Sequence, residues 1–225
     1  MSVLLEAKGL SFAYNGQGNL LNGIDFILSS GEIVGITGDS GCGKTTFLNC
    51  LAGIIPHIYG GDISGKVYIG GADVSKMKLS EIARKLGVLF QNPDTQLFSG
   101  DVEDDVVFGP ENLCRTWSEI DDNLNNALKA TGINEKRNAN PKTLSGGEAQ
   151  LAALAATLSL NPDILLFDEA MSQLDKRGVS AVQSCALGLK NRGKGIIMVE
   201  HDEERLVIAD RILYLAGGCL MERLI

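Results

Sequence analysis

The chain has 225 residues, 44% of them apolar and 21% charged, a balance that excludes wholesale disorder and allows one large core or a core with a subdomain. Its formal charge of −8 argues against broad, non-specific nucleic-acid binding, which needs a basic face. No apolar run is long enough to cross a bilayer and the first residues lack a basic-then-apolar export signal, so a cytoplasmic location is expected. The five cysteines (Cys42, Cys50, Cys114, Cys185 and Cys219) form no CxxC pair or zinc spacing, and are expected to be reduced, mostly buried thiols.

From Ser2 to about Tyr14, and from Ile24 to Thr37, short apolar stretches broken by Gly and Asn predict strands and turns. The last of these strands leads into Gly38-Asp39-Ser40-Gly41-Cys42-Gly43-Lys44-Thr45, which fits the phosphate-loop pattern G-x-x-x-x-G-K-[ST], and a helix follows from Thr46 to Ala52. Glycines let such a loop curl so that several N–H groups face one anion, and the helix adds its positive end. Residues 38–46 are therefore candidate nucleotide-binding residues, with Lys44 reaching the β- and γ-phosphates and Thr45 ligating Mg²⁺. Cys42, inside this loop at a helix start, is placed to react with alkylating agents and to be protected by nucleotide.

Gly65–Gly71 and Leu86–Gln91 look like two further strands. Residues 117–132 have helical periodicity, with Ile120, Leu124, Ala127 and Leu128 on one face, a Thr116/Glu119 capping box and Gly132 placed to end the helix. A polar loop from Asn134 to Pro141 precedes a second helix from about Ser145, and strand candidates follow at 164–167, 196–199 and 211–215. The pattern predicts a mostly parallel α/β core interrupted by a helical insertion. The strand Ile164-Leu165-Leu166-Phe167 delivers Asp168 and Glu169 to its carboxyl end, where open α/β sheets place ligands. Alone, such a pair is also an ordinary solvated strand end. Behind a phosphate loop, Asp168 is a candidate Mg²⁺ ligand and Glu169 a candidate to polarise the attacking water.

Leu144-Ser145-Gly146-Gly147-Glu148-Ala149-Gln150, about twenty residues before that pair, resembles the signature motif of ABC-type ATPases. The family's other landmarks follow in its order: Gln91 at the Q-loop, Ser172-Gln173-Leu174-Asp175 at the D-loop, His201 as the switch histidine, and Tyr14 where an aromatic stacks on adenine. The resemblance covers essentially the whole chain. It implies a RecA-like P-loop core (about 1–91 and 159–225) with an N-terminal antiparallel β region and an inserted helical subdomain at about 92–158. It further implies ATP and Mg²⁺ as ligands, and catalysis by Lys44, Glu169, His201 and Gln91, the last also sensing the metal. The dimer it implies is head to tail, with Ser145, Gly146, Gly147 and Asp175 facing the partner's ATP.

Phe90 to Phe98 and Val102 to Leu113 narrow the resemblance to the ATPases of energy-coupling factor importers of vitamins or transition-metal ions (cobalt and nickel among them). Such a subunit lies at the inner face of the membrane, and Leu97, Phe98, Val106, Val107 and Phe108 are expected to line a groove for a transmembrane coupling subunit, or else to pack the insertion onto the core. Two positions depart from many relatives: Glu148 stands where they carry Gln, and Ala170 where they carry Pro. The sequence stops at Ile225, whereas such importers often have a C-terminal dimerising extension, so a monomer without nucleotide, or a lasting non-identical ATPase partner, is expected. The alternative reading is a soluble ABC ATPase of DNA repair or translation. Those usually carry coiled-coil, zinc-hook or basic insertions, which this sequence lacks.

Overall fold

The computed structural model describes residues 2–222, so Ile225, on which the dimerisation expectation rested, lies outside them. The N-terminal apolar alternation forms β1 (Val3–Ala13) and β2 (Leu21–Ser29), paired antiparallel. As the glycine-broken pattern over 24–37 predicts, the chain turns at Gly31, where φ is +70°, and β3 (Ile33–Thr37) starts a second sheet. β4 (Asp62–Ile69) and β5 (Ala72–Asp73) return to the first sheet, whose order is β2-β1-β4-β5. The second sheet adds β6 (Leu86–Leu89), β7 (Ile164–Asp168), β8 (Gly195–Val199), β9 (Arg211–Ala216) and β10 (Cys219–Glu222), in the order β10-β9-β3-β8-β7-β6. All its pairings are parallel except that of β10 with β9.

Helix α1 (Lys44–Leu51) follows β3, and the short helices α2 (Ile54–His57) and α3 (Leu79–Ala83) precede β6. Between β6 and β7 lie α4 (Val102–Asn112), α5 (Trp117–Thr131) and α6 (Gly146–Leu158), and α7 (Lys176–Asn191) precedes β8. Side-chain alternation sends consecutive strand residues to opposite faces, and here both faces are covered. Val34, Ile36, Leu166, Ile197 and Val199 pack with α1 and the antiparallel sheet. Ile33, Leu165, Phe167, Ile196 and Met198 pack with α4, α5, α6 and α7. Burying each such side chain contributes about 1.5–3 kcal/mol, so the strand ends that carry polar residues are held on a rigid, two-sided core.

Helix α5 forms as its periodicity predicts: Ile120, Leu124, Ala127 and Leu128 are buried, Thr116 and Glu119 cap each other, and Gly132 ends the helix at φ +75°. Helices α4 and α7 were not expected. One expectation needs correcting: of the five cysteines only Cys50 and Cys185 are buried, Cys42 is partly buried, and Cys114 and Cys219 are exposed. Burial pushes the Cys50 thiol up to about 12 and the Cys185 thiol to about 11, which makes both unreactive. Among the described residues, no helix is long and apolar enough to cross a membrane.

Candidate functional site

The loop between β3 and α1 is built by three glycines in backbone regions that favour glycine: Gly38 at φ +153°, Gly41 at +76° and Gly43 at +106°. A Cβ on Gly38 would lie 2.5 Å from the Leu215 carbonyl oxygen, so the loop also needs glycine for its close approach to β9. Lys44 is buried, and its ammonium donates to the carbonyls of Gly38 (2.8 Å) and Asp39 (2.9 Å), which holds it across its own loop. Asp39 also accepts from the Tyr214 hydroxyl at 3.2 Å, which ties the loop to β9.

Asp168 and Glu169 stand at the carboxyl end of β7, beside this loop. The Thr45 hydroxyl donates to Asp168 Oδ1 at 3.1 Å. Burial pushes the Asp168 carboxyl above the usual carboxylate range, opposed by the Thr45 hydrogen bond, while the neighbouring Glu169 charge adds to the rise. No group of three His, Cys, Asp or Glu side chains is placed to hold a metal among the described residues. A hydroxyl and a largely buried carboxylate side by side do fit Mg²⁺, which takes one or two protein oxygens and completes its shell with phosphate and water. Glu169 adopts φ +52°, and its carboxylate is 2.9 Å from His201 Nε2, just beyond β8.

Thr45, Glu169 and His201 open on one cavity of about 410 Å³ lined also by Tyr14, Leu20, Ser40, Gly41, Gly43, Lys44 and Thr46; Asp168 does not line it but is joined to it through Thr45. Tyr14 packs edge-on against Phe12 at 4.8 Å and shares a 3.2 Å hydrogen bond with Thr46 Oγ1, so its exposed ring stands at the cavity mouth. Gln91 lies just past β6, where its amide donates to Ser172 Oγ at 3.1 Å. That bond ties Gln91 to the turn after Glu169 rather than to Thr45 or Asp168.

The signature residues stand apart. Ser145, Gly146, Gly147 and Asp175 line a different cavity of about 510 Å³ that shares no lining residue with the first. Ser145 caps α6, and Glu148 completes a capping box by accepting from the Ser145 amide (2.9 Å) and hydroxyl (2.8 Å). The Ser145 amide, Lys136 at 2.9 Å and the Ser145 hydroxyl hold the Glu148 carboxyl down at about 2. Asp175 caps α7 through the Gly178 amide at 2.8 Å.

The residues expected to form a groove divide. Leu97 and Val106 are core, whereas Phe98 and Phe108 are 65% and 48% exposed and stack edge-to-face at 4.8 Å on the surface. A separate apolar cavity of about 350 Å³ runs along α3 and β6, lined among others by Ile54, Ile58, Leu79, Ile82 and Leu160. Sequence reasoning missed Glu200, which is 1% exposed and accepts from the Met171 amide at 2.9 Å. The one available signal was a charged residue closing an apolar strand immediately before His201.

The sequence model of the ABC transporter family matches residues 21–172. Energy-coupling factor transporter ATP-binding protein EcfA of Methanosarcina acetivorans is 38% identical over 96% of this chain and 77% of its own length. An ABC transporter ATP-binding protein of the same organism is 39% identical over 96% of this chain but 34% of its own length. The chain thus spans between a third and two fifths of the length of several curated relatives. Among solved structures, cbiO1 of Clostridium perfringens, described as part of the ABC transporter complex cbiONQ, matches with TM-score 0.89 and 28% identity, covering 98% of this chain and 88% of that one. Two sheets around a phosphate loop and this breadth of sequence match agree: the chain belongs to the ATP-binding family of ABC transporters and is similar to its energy-coupling factor subunits.

Proposed function

We propose that the chain is the ATP-hydrolysing motor of an energy-coupling factor type importer, acting at the inner face of the membrane. What supports this most directly is the single cavity lined by Lys44, Thr45, Glu169 and His201 in a chain with these relatives. Lys44 would exchange its loop carbonyls for the β- and γ-phosphates, beside the amides of residues 38–46. Thr45 and Asp168 would hold Mg²⁺, which when bound neutralises charge on the phosphates, and Gln91 would have to leave Ser172 to sense it. Glu169 would orient and polarise the attacking water, and His201 would hold Glu169 and contact the γ-phosphate. Tyr14 would stack on adenine.

Ser145, Gly146, Gly147 and Asp175 lie on a separate face, so they would serve the ATP of a second chain in a head-to-tail dimer. Both faces are present on one polypeptide, so either a second copy of the chain or a non-identical ATPase would supply the opposite face. The insertion at about 92–158 would act as the helical subdomain between a core of 1–91 and 159–225. Its exposed Phe98–Phe108 pair and the apolar cavity beside β6 offer a transmembrane coupling subunit an apolar seat. No nucleic-acid partner is proposed.

The test is phosphate release by the purified chain and its Glu169→Gln variant. The wild type should turn over ATP, and the variant should lose at least about 100-fold in kcat with ATP affinity retained. A variant as active as the wild type would refute the assignment. Binding to DNA or ribosomes, rather than to a detergent-solubilised membrane subunit, would refute the importer role.

A further inference from the structure

We propose that Glu200 is a positioning residue for hydrolysis: by accepting the Met171 amide proton it fixes the turn that aims Glu169 at the phosphate cavity. The inference rests on the hydrolytic role given to Glu169 above. A carboxylate that is 1% exposed is costly unless its oxygens are used, and both of these have polar neighbours. Oε1 accepts from the Met171 amide at 2.9 Å, and Oε2 lies 3.6 Å from Arg205 Nη1. Arg205 is itself 3.7 Å from Asp202. The Glu169 carboxylate also acts on Glu200 through its charge, and Glu200 itself does not line the cavity that Lys44, Thr45 and Glu169 line.

What Glu200 serves is visible in the chain across from it. Glu169 is a non-glycine residue at φ +52°, a left-handed conformation that is unfavourable for a side-chain-bearing residue and persists only where its surroundings enforce it. Three consecutive residues enforce it here. The Val199 carbonyl accepts the Glu169 amide at 2.9 Å, Glu200 accepts the Met171 amide, and His201 meets the Glu169 carboxylate at 2.9 Å. The turn closes with the Ser172 amide donating to the Glu169 carbonyl at 3.0 Å, and Ser172 in turn receives the Gln91 amide. Without the Glu200 contact, a buried amide loses its partner and Glu169 loses the anchor two residues downstream.

Glu200→Gln keeps an acceptor at the same reach, whereas Glu200→Asp keeps the charge but withdraws it by one methylene. In steady-state ATPase assays Glu200→Gln should stay within about threefold of wild-type kcat, and Glu200→Asp should fall about 10- to 100-fold. Affinity for a fluorescent ATP analogue should change less than about twofold in both, because the phosphate loop is untouched. Hydrogen exchange should find the Met171 amide protected in the wild type and in Glu200→Gln. Wild-type kcat in Glu200→Asp, equal losses in the two variants, or parallel losses of kcat and affinity would overturn the proposal. So would a freely exchanging Met171 amide in the wild-type chain, whether or not Glu200→Asp folds. A wild-type chain without turnover overturns the hydrolytic reading and this inference together; an active wild type with an unimpaired Glu200→Asp overturns this inference alone.

Discussion

The Lys44 ammonium is satisfied by two carbonyls of its own loop rather than by an acid, so it is buried and still available to a phosphate. Lys44→Ala should weaken binding of a fluorescent ATP analogue by about 30- to 100-fold, the worth of lost charge-assisted hydrogen bonds. Unchanged affinity would contradict its role. Glu200 gives a pH signature that does not depend on catalysis. Burial is the main cause that pushes its carboxyl from 4.5 up to about 7, with the Met171 amide and Arg205 pulling the other way. Between those values the unfolded chain has released the proton and the folded chain has not, so stability is fully present at low pH and is lost as pH rises through about 7. Urea unfolding should find wild-type stability falling by about 3 kcal/mol relative to Glu200→Gln between pH 4.5 and 8. A pH-independent difference would contradict a buried, titrating Glu200. Cys42, partly buried in the phosphate loop, should be alkylated by a maleimide more slowly when ATP is present, and labelling indifferent to ATP would place nucleotide elsewhere.

At the scale of elements, what the sequence made legible was whatever local chemistry dictates. Helix α5 has its cap, its period and its terminal Gly132 in one stretch, and the phosphate loop and the β7 end carry their function in adjacent residues. Helix α7 was hidden because Gly178, a poor helix former, occupies its first turn. The reason is tertiary: a Cβ on Gly147 would lie 3.3 Å from Gly178 Cα, so α6 and α7 touch at their starts through two glycines. Helix α4 was hidden by Gly109 and Pro110 in its last turn, although Asp101 caps it and Glu103, Asp104 and Asp105 suit its positive end. Within and just before α4, spacing alone cannot tell Val106, which is core, from Phe108, which stands at the surface. Glu200 was illegible for a similar reason, because its partner Met171 is 29 residues away and is joined through the backbone. The Ser145 cap yields a prediction at this scale. Ser145→Ala should cost about 1 kcal/mol and lower the nucleotide-free melting temperature by about 2–4 °C. An unchanged melting temperature would mean that the cap contributes nothing before nucleotide binds.

Over the whole molecule the phosphate-loop side and the signature side are each preformed and separate, and no lining residue of one cavity lines the other. Glu148 departs from the commoner Gln, yet its charge is already engaged by Ser145 and Lys136, so it need not repel a partner's phosphate. Closure of two chains on ATP would show in the solution mass of the Glu169→Gln chain, measured with and without ATP and Mg²⁺. A monomer of 23.9 kDa should shift to twice that mass on adding ATP. A chain that binds ATP and remains a monomer would contradict closure between identical copies.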